Sequence, residues 1–204
     1  MKKIITILVF IISLNNLYAD SPITSTTFYT FYSDVVVVEK AHQSGTVDDT
    51  IADYLLSDTV AIDVKAAIIN ALSWNFNGKN NASLLTSFIM KKYSYSNGFD
   101  LNVLSAEDIF CLGYLTIMDN YFQTEKPIKI LTLASSKDPK SFTIQMILAL
   151  AIAQHDMESD FCAVYKGCVS VKNNMNLKQD MKQNAVDAIF SYINIYKPYC
   201  NEKK

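Results

Sequence analysis

The chain has 204 residues, 50% hydrophobic and 19% charged, which supplies one substantial core and rules out global disorder. Five glycines and four prolines exclude collagen-like and low-complexity chains and disfavour a turn-rich sandwich or barrel. All 18 basic residues are Lys, against 20 acids, so a net charge of −2 leaves no basic footprint for nucleic acid and no Arg fork for carboxylate or phosphate.

Residues 1–19 open on Lys2 and Lys3, run apolar from Ile4 to Leu14, break at Asn15 and Asn16, and reach Leu17-Tyr18-Ala19 before Asp20. That is the plan of a signal peptide cleaved after Ala19. The apolar run is well short of the ~20 residues that span a bilayer. Cleavage leaves 16 lysines against 20 acids, a net charge of −4, with no polybasic hold on anionic lipid. The expected mature chain is a single all-α domain over 20–204, periplasmic or secreted and off the membrane.

Next comes DSPITSTTFYTFYSDVVVVEKAHQSG. The valine run Val35 to Val38 favours strand, but Phe28, Phe31, Val35, Val38 and His42 recur at helical steps, so one helix is predicted from a Thr26 or Thr27 cap to Gly45. Thr46 with Asp49 predicts a capping box before a short helix over 47–56. Asp58 is the expected cap of a longer helix to about Trp74, with Val60, Val64, Ala67, Ile68, Ala71 and Leu72 on one face and Asn77-Gly78 as a left-handed stop.

A short helix follows an Asn81 cap to about Tyr93, and its partner starts at the Ser105 to Asp108 box and runs to about Phe122. Pro127 falls in the first turn of another, and Asp138-Pro139 reads as a cap followed by a proline at the first helical position. Ile144 to Ala153 is apolar almost all round, the mark of an element buried on nearly all sides. A last pair is predicted over 159–171 and 177–196, with Pro198 closing it.

The longer helices begin near residues 59, 105, 139 and 177, a loose period in the range of helical-pair repeats. About four helix pairs are expected, stacked as helical hairpins in a short α-solenoid, the alternative being a compact helical bundle. The likeness to HEAT-like or TPR-like repeats is one of architecture alone. DSPITSTTFYTFYSD and ALSWNFNGKNN resemble segments of exported, all-helical bacterial proteins of unknown role. That resemblance covers only these two stretches and implies no mechanism.

An even number of cysteines in an oxidising compartment makes disulfides the default. Cys162, Cys168 and Cys200 crowd toward the C-terminus, and a bond within this trio is expected. Cys111 lies in an apolar helical pattern, where a free thiol acts as a small hydrophobe. Loop closure is worth roughly 2.4 kcal/mol for Cys162 with Cys168 and roughly 3.9 for Cys162 with Cys200, which leaves the pairing open.

Five isolated glycines make no phosphate loop, and no GxSxG, HExxH, CxxC or DxDxDG motif is present. His42 and His155 have no second His or Cys at metal spacing, so neither a metal nor another cofactor is expected. His155 with Asp156 and Glu158 is the best acid/base candidate, and Glu107 with Asp108 is explained by a cap. Interaction is easier to motivate. Trp74, Asn75, Asn77, Lys79 and Asn80 put an aromatic ring beside amides on a turn, and Tyr93 and Tyr95 form a second aromatic loop. The residues thus point to a non-catalytic helical protein that binds another protein, in the manner of an immunity protein or inhibitor. The alternative is a small-ligand carrier or enzyme with an inter-helix pocket near His155.

Overall fold

A computed structural model describes residues 21–201 as helices and turns, with no strand among them. The expected signal peptide lies outside the described residues. Instead of one N-terminal helix, a 3-10 turn over Phe28–Tyr32 is followed by a break and then α1, Val36–Ser44. The periodicity failed because two different faces are buried, Phe28 with Tyr32 in the turn and Val37, Val38 and Ala41 in α1, while Val36 stands in solvent. Thr27 makes no cap bond. Asn70 holds this backbone instead, accepting from the Tyr29 N–H at 3.0 Å and donating to the Thr26 carbonyl at 2.9 Å. Gly45 ends α1 as predicted, with φ 62°.

Other caps move as well. α2, Asp49–Leu55, is capped by Asp48, which accepts from the Ile51 N–H at 2.9 Å, and not by the Thr46 box. The Lys40 ammonium 2.7 Å away, with that amide, holds the Asp48 carboxyl below its usual range. α3, Ile62–Leu72, begins behind Ala61 with no side-chain cap, and Asp58 lies in solvent. α3 also stops before Asn77-Gly78, at Ser73 with φ 60°. α4 spans Asn81–Lys92, and α5, Ala106–Asp119, keeps its predicted cap, Ser105 accepting from the Asp108 N–H at 3.0 Å.

α6, Glu125–Lys137, carries Pro127 in its first turn. α7, Phe142–Asp156, is capped by Ser141, so Asp138 closes α6 rather than opening α7. α8 is Phe161–Lys172 and α9 is Gln183–Ile193, continued by a 3-10 segment Asn194–Cys200 that contains Pro198. α9 starts later than predicted because the chain before it is used elsewhere. Lys178 bridges to the segment before α7, donating to the Lys140 carbonyl at 2.7 Å, and Asp180 accepts from the Thr143 N–H at 2.8 Å.

Successive helices pack as hairpins, α5 on α6 and α7 on α8 most extensively, which gives the expected all-α stack. Gly113 lets α5 and α6 approach, since a Cβ there would meet Leu131 Cγ at 2.9 Å. α3 is the hub, touching α1, α5, α7 and the first 3-10 turn, with most of its residues buried. Its Lys65 is 1% exposed and pairs with Glu107 of α5.

The two ends of the described chain meet. The Tyr32 hydroxyl donates to Asp63 at 2.9 Å and accepts from the Lys182 N–H at 3.2 Å, and the Lys182 ammonium reaches Asp34 at 2.9 Å. Burial, above all, pushes the Tyr32 phenol up, so it stays a donor at any working pH. Cys162 of α8 and Cys200 stand at disulfide distance, S–S 2.09 Å, within the predicted trio. Cys168 and Cys111 are buried and free, and burial pushes both thiols up to about 12, which makes them inert.

Candidate functional site

The Trp74 segment is a rigid turn because its polar groups bond locally. The Asn75 side chain accepts from the Asn77 N–H at 2.9 Å, and the Asn75 carbonyl from the Gly78 N–H at 2.8 Å. Gly78 has φ 81°, and a Cβ there would sit 3.3 Å from the Asp119 carbonyl, so only glycine fits comfortably. The Lys79 N–H then donates to that same carbonyl at 3.0 Å, tying the turn to the end of α5.

Not all of the predicted surface is surface. Asn75, Asn77 and Asn80 are exposed, whereas Trp74 is half-buried and meets Tyr121 edge-on at 5.1 Å. The Lys79 ammonium turns inward and donates to the Gly45 carbonyl at 2.9 Å and to that of Leu72, satisfying the ends of α1 and α3. Burial lowers its pKa. Neither Asn80 nor Asn81, the predicted cap, caps α4 with its side chain, since Asn81 is the first residue of the helix and accepts from the Val47 N–H at 2.9 Å. Asp119 supplies the cap from the end of α5, accepting from the Ala82 N–H at 2.7 Å. Burial pushes the Asp119 carboxyl up, opposed by that amide and by Lys79, and its second oxygen has no partner among the described residues.

Two aromatic rings missing from the sequence-derived set dominate this end of the molecule. Phe76 is 72% exposed and Phe122 58%, and they meet edge to face at 6.0 Å. Phe122 stacks at 4.2 Å on Tyr121, which carries Trp74. Four rings from two loops therefore form one continuous patch. The available signal was a Tyr-Phe pair directly past the α5 stop, but its meeting with residue 76 exists only in the fold.

Tyr93 and Tyr95 do not join this patch. They lie beyond the other end of α4, whose 12 residues span about 18 Å. Tyr93 stacks on Tyr95 at 5.8 Å and Tyr95 on Phe99 at 5.6 Å, and the Tyr93 hydroxyl donates to buried Asp108 at 2.6 Å. Burial and that carboxylate raise the Tyr93 phenol. The three rings cover the end of the α4–α5 hairpin.

The His155 region opens into a cleft of about 730 Å³ between the start of α6, the end of α7 and the Tyr121–Phe122 loop. His155 and Glu158 line it, but Asp156 lines a different groove between α7 and α8. The His155 Nδ1 meets the Thr124 hydroxyl at 2.9 Å, so the imidazole has a hydroxyl and not a carboxylate as its hydrogen-bonding partner. Among the described residues no His, Cys, Asp and Glu cluster has metal-binding geometry, and no helix is long and apolar enough to cross a membrane. No family model, curated protein or solved structure matches the chain.

Proposed function

We propose that this is an exported, non-catalytic helical protein that holds another protein through the aromatic patch of Trp74, Phe76, Tyr121 and Phe122, as an immunity protein or inhibitor does. One observation carries the reading: two large rings, Phe76 and Phe122, stand mostly in solvent on a base of half-buried and buried rings. Aromatic anchors of this kind, preorganised on rigid turns, are the usual centres of protein interfaces. Asn75, Asn77 and Asn80 supply a polar rim beside them. Export is supported by the leader-like residues 1–19 and by the Cys162–Cys200 pair. The His155 pairing with Thr124, without a carboxylate partner, supports a binding role over acid–base catalysis.

Affinity capture from the envelope of the producing cell tests the proposal. The wild-type protein should recover a stoichiometric partner that Phe76→Ala with Phe122→Ala loses and that Tyr95→Ala and His155→Ala keep. A partner retained at full strength by the double variant overturns it.

A further inference from the structure

The cleft beside the patch has features that a protein interface does not need. Its volume of about 730 Å³ lies within the range of roughly 300–1,000 Å³ usual for small-molecule sites. Its apolar lining comes from Leu101, Phe122 and Ile130.

Positive groups line the cleft from the start of α6. Thr124 precedes α6 without capping it, since its hydroxyl is engaged by His155. The Glu125 and Lys126 amides consequently find no acceptor among the described residues. Lys126 and Lys129 line the cleft from the same helix and have no ion-pair partner among the described residues. Glu125 offsets one of these charges, leaving the helix end and one lysine in excess.

Negative groups line it from the end of α7. The C-terminal end of α7 brings its carbonyl dipole, and Glu158, just beyond it, is equally unpaired. Beside these groups Tyr121 forms part of the wall, is 3% exposed, and has a hydroxyl with no partner among the described residues.

We infer that this cleft binds a small zwitterion with an apolar side chain, a free amino acid or a short peptide, its carboxylate toward the α6 N-terminus and Lys126/Lys129 and its ammonium toward Glu158. The two neighbouring helix ends, of opposite polarity and joined by Thr124 and His155, offer a positive and a negative pole to one ligand, and the apolar lining takes the side chain. The inference shares Tyr121 and Phe122 with the protein-binding proposal but does not rest on it, because its charged groups belong to the cleft and its test uses the protein alone.

The single Trp74 touches Tyr121 of the cleft wall, so intrinsic fluorescence reports occupancy, with ligand-observed NMR as a second readout. The probes are L-phenylalanine, the dipeptide Phe-Phe, N-acetyl-phenylalanine and phenylalanine methyl ester. At least one free zwitterion should bind, and its end-blocked derivatives should bind about tenfold or more weakly, as expected when a charge-assisted contact is lost. Phe-Phe binding more tightly than phenylalanine identifies a peptide, and the reverse order a free amino acid. Lys126→Ala with Lys129→Ala should erase discrimination against the methyl ester only, and Glu158→Gln discrimination against the N-acetyl compound only. All three side chains are exposed, so these variants should fold, which circular dichroism checks. Absence of zwitterion binding at millimolar concentration, equal binding of the blocked compounds, or discrimination that survives these substitutions overturns the inference.

Discussion

Replacing Cys162 and Cys200 together by Ser should lower stability by about 3.9 kcal/mol, the loop-closure entropy of a 38-residue separation returned to the unfolded chain. The native state should change little. The 3-10 segment Asn194–Cys200 is held on α8 by rings as well as by sulfur, Phe161 lying 4.9 Å from Tyr199 and 5.7 Å from Tyr196. The loss should therefore appear as a lower urea midpoint with an unchanged α-helical spectrum. With a slope of about 2 kcal/mol per molar, the midpoint should fall by about 2 M. Reducing the wild-type protein should reproduce the shift, and Cys168→Ala should not. A midpoint displaced by less than about a quarter of this amount would refute the unfolded-state argument. Recovery of Cys162 as a free thiol from the unreduced, denatured protein would refute the pairing itself.

Other positions give sharper contrasts. Glu107→Gln strips the counter-charge from buried Lys65 and should cost about 2 kcal/mol, while adding Lys65→Met should restore most of it in chemical denaturation. Gly113→Ala gains about 1 kcal/mol of helix preference but pushes a methyl into Leu131 and Ile130, an overpacking worth about 1–3, so a net loss near 1 kcal/mol is expected in thermal melts. Asp119 has a raised folded pKa, so its contribution is full below the unfolded value of 3.8 and is lost as pH rises through the folded one. Acidification from about pH 7 to about pH 4.5 should therefore move urea midpoints in favour of the wild type relative to Asp119→Asn, and parallel midpoints would contradict the assigned burial.

Helix content was legible because apolar spacing is a local property and most of it was spent on one face. Ser105 and Gly45 were read correctly, since each acts on its own helix. Asp58 and Asp138 were misread because a capping residue must also lie where the backbone turns into the helix, and tertiary contacts moved those starts to Ile62 and Phe142. Lys79 looked like a surface charge, and no local pattern shows that the ends of α1 and α3 converge on it. Trp74 marked a turn that also carries exposed Phe76, while Tyr121 and Phe122 come from a second loop that only the fold brings near. His155 does line a cleft, but nothing local shows that Thr124, 31 positions earlier, meets its ring.

The lock between Tyr32 and Lys182 joins positions 150 apart, so the N-terminal turn, already seated on Asn70 and Asp63 of α3, gains its last partner only when nearly the whole polypeptide is present. Contacts with α3 can seat the N-terminal turn early, but the far end of the chain fastens it, so the last residues made complete what the first began.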